Sequence, residues 1–294
     1  MIDQVVYMFS KKNAPAETIS SGTTVVLRTM DCFSNQIKSS DQLVTSIDFD
    51  HINPATGPVY VEGAMPGDVL KVEILDVTVD SAGTTTTLPD NGPLFENVET
   101  RTKIIQIKEN MATFNDVTFP IDPMIGVIGV APSENEIPCG YPGNHGGNMD
   151  NHLIKKGATL YFPVQVSGAL FQCGDIHAVM GDCELCGTGL EIAGIITVKL
   201  TVIKEFKLGW PLLETADKWF SIASAPDYNT ALKNVSLEMQ DLICRTYGWD
   251  KTDAYLYMSI QGDVEICQAC QPCVVDMILR LGIPKQPGKP LIQS

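Results

Sequence analysis

Short runs of β-branched and apolar residues, separated by turns rich in Gly, Pro, Asn and Asp, fill the first two thirds of this sequence. The runs cover residues 25–27, 59–61, 69–79, 103–108, 160–166 and 195–203. The stretch 81–92 is rich in Thr, Gly and Asp and is predicted to be a loop. Many short strands joined by such turns are typical of sandwiches and barrels. We therefore predict a mostly β fold built of β-sandwich-like or barrel-like units.

The pattern changes after Trp210, where helical spacing replaces the strand pattern. Asp227 is a suitable N-cap for a helix over 228–247, and Gly248 is a suitable residue to end it. A second helix is predicted over 252–261 and a strand over 274–281. We predict a β-rich region over residues 1–206, which carries the candidate motifs, and a smaller α+β region over 207–294 packed on it.

Charge and hydropathy exclude several classes of partner. The formal net charge is −15, from 20 Lys and Arg against 35 Asp and Glu. Such a balance repels nucleic acid and anionic membrane surfaces. No apolar run approaches the ~20 residues of a membrane-spanning helix, and the first ten residues lack the basic and apolar regions of a secretory signal. We expect a cytoplasmic protein without nucleic-acid or membrane partners.

The nine cysteines are also consistent with the reducing cytoplasm, because an odd number without a secretory signal argues against a disulfide framework. Two local patterns have the spacing of zinc or iron–sulfur ligands: Cys183-x2-Cys186 and Cys267-x2-Cys270-x2-Cys273. The second lies in an apolar stretch, where Cys often serves as a small buried hydrophobic residue. Buried structural thiols are the favoured interpretation of that cluster.

The densest group of chemically active residues lies between Gly174 and Glu184. It contains Asp175, His177, Asp182 and Glu184. Asp175 and His177 are two residues apart, so on a strand their side chains project to the same face and can bind one ion. Imidazole with carboxylate suits zinc or a similar divalent metal, and crowded carboxylates favour acid–base chemistry. A turn in which Asp side chains bond their own backbone is the alternative.

A second group lies between Pro142 and His152, where His145 and Asp150 flank the Gly146–Gly147 pair. Glycines allow close backbone approach, and their N–H groups can stabilise an oxyanion. For His152 we favour a surface-loop position. The sequence lacks a Gly-x-Ser-x-Gly elbow, a His-Glu-x-x-His helix and a Gly-x-Gly-x-x-Gly loop after a strand. A conventional serine hydrolase therefore has little support.

Several ordered stretches resemble the acetamidase/formamidase family. They are Asp31-Cys32-Phe33-Ser34-Asn35-Gln36-Ile37, the segment 53–64 running into Pro66-Gly67-Asp68, His145-Gly146-Gly147-Asn148-x-Asp150, and Gly174-Asp175-x-His177 through Glu184 to Cys186-Gly187 and Glu191. They span about residues 25–200 in the family's order. The resemblance implies a mostly β fold, a homo-oligomer (a dimer or larger), and hydrolysis of formamide or acetamide to carboxylate and ammonia.

The resemblance also implies a divalent metal, which we expect to be zinc, with calcium as the candidate for a second or structural ion. The implied metal ligands are His145, Asp150, Asp175 and His177. The implied catalytic groups are Glu184 or Asp182 as general base and Glu62 at the amide nitrogen. Gly146 and Gly147 are the candidate oxyanion donors. Asn53 stands where related sequences often have His, so we expect it to bind substrate rather than metal.

Two other functions remain open from the sequence. One is a thiol amidase in which His145 or His177 activates Cys32 or Cys186. The other is a β-sandwich protein that binds a metal or ligand without turnover.

Overall fold

The computed structural model describes residues 1–292 and consists mainly of antiparallel strands. The strands that it defines in this range, β1 to β22 in chain order, are Val5–Val6, Met8–Phe9, Glu17–Ile19, Thr23–Thr29, Ala55–Val61, Val69–Val79, Ala82–Thr86, Thr102–Lys108, Met111–Phe114, Val117–Pro120, Met124–Gly129, Ile137–Pro138, Pro142–Gly143, Gly146–Asn148, Thr159–Pro163, Phe171–His177, Glu191–Ile192, Gly194–Ile203, Leu212–Glu214, Lys218–Ala225, Asp263–Ile266 and Met277–Pro284. Helices α1 and α2 are Tyr228–Tyr247 and Lys251–Gln261. Single 3-10 turns lie at Val44–Ser46, Phe49–His51 and Phe95–Asn97. Within residues 1–292, neither helix combines the length and apolarity needed to cross a membrane.

Two large sheets contain most of the strands. The twelve-stranded sheet runs β10-β9-β8-β7-β17-β16-β11-β14-β13, and β5 joins it beside β16 with β1 and β3 as further partners. The eight-stranded sheet runs β21-β22-β20-β19-β15-β6-β18-β4. Side chains from both sheets, including Ile125 and Phe171 from one and Leu70 and Val198 from the other, form a single buried cluster. The sheets therefore pack face to face, which confirms the predicted mostly β, sandwich-like architecture.

The two helices cover the outer face of the eight-stranded sheet. Along β20, Phe220 and Ile222 point into the core between the sheets, whereas Trp219 and Ala223 point toward the helices. Such alternation is the period of two expected for a strand that is buried on both faces. The predicted bounds of α1 are confirmed: the Asp227 carboxylate accepts a hydrogen bond from the Thr230 N–H, and Gly248 ends the helix in the left-handed conformation.

The predicted loop over 81–92 is wrong for its first half. Residues Ala82–Thr86 form β7, which pairs with β8 along its whole length and touches β17 at Glu191. The three consecutive Thr residues are β-branched and suit a strand. Gly83 lets the neighbouring strand approach closely, since a Cβ there would lie 2.9 Å from the Glu191 carbonyl oxygen.

Strands on both sides of the predicted 206/207 boundary belong to the same eight-stranded sheet. β15 pairs with β6 on one side and with β19 on the other. The division at that point stays a prediction, and the sheet hydrogen bonds are continuous across it.

Candidate active site

The end of β16 supplies the first two side chains of the site. Every residue of β16 is buried, because β11 and β5 pair with it inside the larger sheet. Asp175 adopts a φ of 55°, a left-handed conformation that Asp tolerates better than most residues. The resulting bend leaves Asp175 Oδ1 3.4 Å from His177 Nε2. The structure thus brings together the two residues that strand periodicity had placed on one face.

Asp150 reaches the same point from the chain that follows β14. Its Oδ1 lies 3.8 Å from His177 Nε2. The two aspartates can approach because β11 has Gly126 beneath them: a Cβ there would lie 2.5 Å from Asp150 Oδ1 and 2.6 Å from Asp175 Oδ2. Gly126 is therefore required for the site by close packing rather than by its backbone angles.

Glu184 and Glu191 complete a ring of carboxylates around His177. Glu184 Oε1 lies 3.9 Å and Glu191 Oε2 3.1 Å from His177 Nε2. The Glu191 contact follows from sheet register, since His177 is paired with Glu191 between β16 and β17. The Gly189 N–H donates a hydrogen bond to Glu191 Oε1. Glu191 ends the last of the stretches that resemble the family, but no role was predicted for it.

Gln268 is the side chain that sequence reasoning missed altogether. It comes from the segment between β21 and β22, and its Nε2 donates to Asp150 Oδ2 and to Glu184 Oε2, both at 3.0 Å. The backbone holds it there: the Cys183 N–H donates to the Cys267 carbonyl, and the Ala269 N–H donates to the Cys183 carbonyl. Its sequence neighbours are cysteines, and no local pattern marks a glutamine as part of a distant site.

The pKa values of Asp150, His177, Glu184 and Glu191 are shifted by their buried surroundings. Asp150, Asp175, His177, Glu184 and Glu191 are each no more than 6% exposed. Burial, reinforced by neighbouring carboxylates, raises the pKa of Asp150 well above its usual value. Burial also raises the pKa of Glu184, and it raises that of Glu191 to about 8. For His177 burial acts the other way, but the carboxylates of Glu191 and Asp175 outweigh it and raise the imidazole pKa well above normal.

The donor set suits a divalent cation. Four buried carboxylates face one imidazole, and an uncompensated buried charge is strongly unfavourable. Among the described residues, Asp150 Oδ1 and Asp175 Oδ1 have no hydrogen-bond partner. Two groups have ligand atoms close enough to share an ion: Asp150 with His177 and Glu184, and Cys32 with Asp175 and Glu191. A mixed nitrogen and oxygen set of this kind fits zinc or a similar divalent metal.

A cavity of about 540 Å³ opens over the carboxylates. Its walls are largely apolar and include Phe33, Ile52 and Leu88, and its polar lining includes Asn53. Asn53 adopts a φ of 49°, and its Nδ2 lies 3.3 Å from Asp175 Oδ2. An apolar pocket with a few converging polar groups is the usual form of a small-molecule site.

The sequence model of the Acetamidase/Formamidase family matches residues 9–138 and 137–285. The chain belongs to that family. An acetamidase crystal structure from Bacillus halodurans covers 96% of this chain and 96% of its own length, with 39% identity and a TM-score of 0.93. The crystal structure of a recombinant predicted acetamidase/formamidase from Thermoanaerobacter tengcongensis has 41% identity and a TM-score of 0.93, over 96% of this chain and 94% of that one.

A formamidase of Methylophilus methylotrophus is 25% identical over 249 residues, which cover 64% of this chain and 61% of the relative. The chain spans about three fifths of the length of two curated relatives that it matches, at 62% and 61%.

His145 lies outside the cavity of this family member. It precedes β14, which pairs with β11, and its carbonyl accepts a hydrogen bond from the Val130 N–H. The imidazole is fully buried, packs edge-on against Phe9 at 4.8 Å between ring centroids, and belongs to neither ligand group. Burial lowers its pKa to about 4. The ligand role of His145 stays a prediction, and the ring packs beside Phe9 without lining the cavity.

Gly146 and Gly147 lie inside β14, between β11 and β13. The backbone that was predicted to stabilise an oxyanion is therefore paired with a strand on each side. These glycines do not line the cavity. Their structural role is close strand packing: a Cβ on Gly146 would lie 2.7 Å from the Phe162 ring.

Asp182 and Glu62 are also outside the cavity. Asp182 accepts two hydrogen bonds from the Arg280 guanidinium and one from His152 Nδ1, beside a separate open groove. Those partners outweigh partial burial and lower the Asp182 pKa, which makes it a poor proton acceptor near neutral pH. Glu62 is exposed and accepts a hydrogen bond from the Ser20 hydroxyl. Neither carboxylate lines the cavity that contains His177, so their catalytic roles stay predictions.

The two cysteines considered as nucleophiles differ in position. Cys32 lines the cavity, but burial and the nearby Glu191 and Asp175 carboxylates raise its pKa well above normal. The thiolate form that would attack an amide is therefore disfavoured. Cys186 does not line the cavity, and its thiol is within hydrogen-bonding distance of the Thr86 and Thr188 carbonyls.

Proposed function

We propose that this chain is an amidase that hydrolyses short aliphatic amides such as formamide and acetamide to a carboxylate and ammonia. One observation carries the proposal: a buried cluster of four carboxylates and one imidazole at the floor of a small, largely apolar cavity. Family membership supports the reaction class.

The proposal includes a divalent metal, with zinc as the first candidate and calcium as the candidate for a second ion. Asp150, Asp175 and His177 would hold it, because Asp150 Oδ1 and Asp175 Oδ1 lie 3.8 and 3.4 Å from His177 Nε2. Neither of these two oxygens has a hydrogen-bond partner among the described residues, which supports the assignment. When bound, such an ion supplies Lewis acidity, which polarises an amide carbonyl and makes water more acidic.

Glu184 is the proposed general base. Gln268 bonds its Oε2, which leaves Oε1 to face His177 Nε2 at 3.9 Å. Because burial raises its pKa, Glu184 can take a proton from water at Oε1 and return it to the departing nitrogen. Gln268 fixes the carboxylate, since a single amide group holds both Glu184 and Asp150.

The cavity wall would select small substrates. Phe33, Ile52 and Leu88 offer an apolar surface to the methyl group of acetamide and exclude bulk water. Asn53 Nδ2, already close to Asp175, is the proposed donor to the substrate carbonyl. A substrate with so few atoms gains little binding energy, so weak affinity is expected.

The deciding experiment measures ammonia release from formamide, acetamide and propionamide before chelation, after chelation and after zinc or calcium is added back. Activity that chelation removes and zinc restores supports the proposal. Activity that survives chelation and is lost to iodoacetamide would move the reaction to Cys32. If none of these amides releases ammonia, the metal- or ligand-binding alternative is favoured.

The homo-oligomer implied by the resemblance is part of the same proposal, as is the cytoplasmic location expected from the sequence. Light scattering on the purified chain tests the homo-oligomer, and a single-subunit mass at working concentration would contradict it.

Microscopy of the tagged chain in cells of its source tests the cytoplasmic location.

A further inference from the structure

Two cysteines of the Cys267-x2-Cys270-x2-Cys273 motif lie at the cavity, and the third does not. Cys270 and Cys273 line the cavity with Val274 and Val275. Cys267 is buried in the core between the sheets, where its Sγ lies 3.9 Å from Arg280 Nη1. The motif is thus divided into one core thiol and a pair of thiols in the cavity wall.

Cys270 and Cys273 line the same cavity three residues apart and have unequal environments. Cys273 Sγ accepts a hydrogen bond from Gln271 Nε2 at 3.2 Å and donates one to the Val275 carbonyl at 3.3 Å. Cys270 is only 3% exposed, whereas Cys273 is half-buried. Cys273 is therefore the more accessible residue of the pair, and Cys270 is the protected one.

We propose that Cys270 and Cys273 form a reversible, redox-active dithiol in the wall of the candidate active site. An accessible attacking thiol with a buried resolving thiol three residues away is the arrangement that thiol–disulfide exchange requires. This site is independent of the amidase activity proposed above.

The oxidant is a small-molecule disulfide of the glutathione type. The Cys273 thiolate attacks one sulfur of that disulfide, which forms a mixed disulfide and releases one thiolate. Cys270, on losing its proton, then attacks Cys273 Sγ and expels the second small thiolate. The two thiolates take up the two protons that the cysteines lose. The protein loses two electrons, and the small disulfide gains both.

The environment of Cys273 distinguishes it from the other cysteines. Interaction between the two thiols lowers the pKa of Cys273 to about 7 and raises that of Cys270. Burial raises the pKa of Cys139 and Cys267 to about 12, and it also raises those of Cys32 and Cys173. Reaction with a disulfide depends on the fraction of thiolate and on access, so Cys273 is the expected point of attack.

The test incubates the purified full chain in buffers of reduced and oxidised glutathione over a range of ratios. The sample is acid-quenched, alkylated, digested and analysed by mass spectrometry. We expect Cys270 and Cys273 to lose alkylation together, dithiothreitol to restore both, and Cys139 and Cys173 to stay unmodified. Cys270→Ala should trap a glutathione adduct on Cys273, whereas Cys273→Ala should leave Cys270 unmodified. Cys267→Ala is the matched control and should still form the disulfide.

Three results would overturn the proposal. The wild-type pair could remain alkylatable at the most oxidising ratio, or Cys273→Ala could form an adduct on Cys270 as readily as the wild type does on Cys273. The third is protection by metal: if the pair oxidises only after chelation and zinc at one equivalent protects it, Cys270 and Cys273 are metal ligands. Because the readout is thiol mass, failure here is separate from any failure to release ammonia.

Discussion

Gln268 Nε2 lies 3.0 Å from Glu184 Oε2, so a side chain from the C-terminal third of the chain holds the proposed general base. The two residues are 84 positions apart in the sequence. Both are buried, and the amide also reaches Asp150. Residues that position catalytic groups in this way are often as sensitive to substitution as the groups they hold.

Replacing Gln268 by Leu should lower kcat/KM for acetamide by about 10- to 100-fold, because Glu184 and Asp150 lose their shared donor. Gln268→Asn, with a shorter amide, should recover part of the loss. Gln261→Leu is the control, since Gln261 is exposed at the end of α2. Steady-state ammonia release measures all three. Equal activity in the wild type and Gln268→Leu would rule out a positioning role.

Gly126→Ala should reduce activity by about 100-fold, the usual effect of displacing reacting groups by ~1 Å. The new Cβ would lie 2.5 Å from Asp150 Oδ1 and must push the aspartates apart. Gly181→Ala is the matched control, since a Cβ there meets nothing within 4 Å. Zinc content and melting temperature are measured beside activity. A fully active Gly126→Ala enzyme would show that the aspartates need not be so close.

The variants Glu184→Gln and Asp182→Asn distinguish between the two carboxylates that were predicted from the sequence as general base. Glu184→Gln should lower kcat by about 10²- to 10⁴-fold, the usual contribution of a general base. Asp182→Asn should keep its activity per folded molecule and instead lose about 1–3 kcal/mol of stability, because Arg280 loses an ionic partner. Urea unfolding and single-substrate kinetics provide both numbers. The reverse pattern would restore Asp182 as the base.

His145→Leu should leave activity and zinc content unchanged and weaken the acid sensitivity of folding. The His145 pKa is about 4 in the folded protein against an ordinary value of 6.5, so the unfolded chain binds more protons between these values. Stability from this group is therefore full above pH 6.5 and is lost as the pH falls toward 4. From pH 7 to pH 5 the wild type should lose about 2 kcal/mol more than the variant. Loss of zinc from His145→Leu would instead support the ligand role predicted from the sequence.

Much of the fold could be predicted because its signals are local. Helix α1 begins after Asp227 and ends before Gly248, as capping chemistry requires. The β-branched runs became strands, but β7 was missed because its Thr and Gly residues also suit a loop. Asp175 and His177 could be paired in advance because strand periodicity governs residues two apart.

The sequence by itself determined both helices, several of the longer strands, the family motifs and the set of acidic and histidine residues from which a site could be made. Only the tertiary structure decided which of them meet. Sheet register brings Glu191 to His177, and a contact between distant segments brings Gln268 to Asp150 and Glu184. Sheet pairing likewise turns His145 into an apolar layer, while ion pairing holds Asp182 on Arg280. The physical reason is range: caps and periodicity act over a few residues, whereas register and the burial of charge depend on segments far apart in the chain.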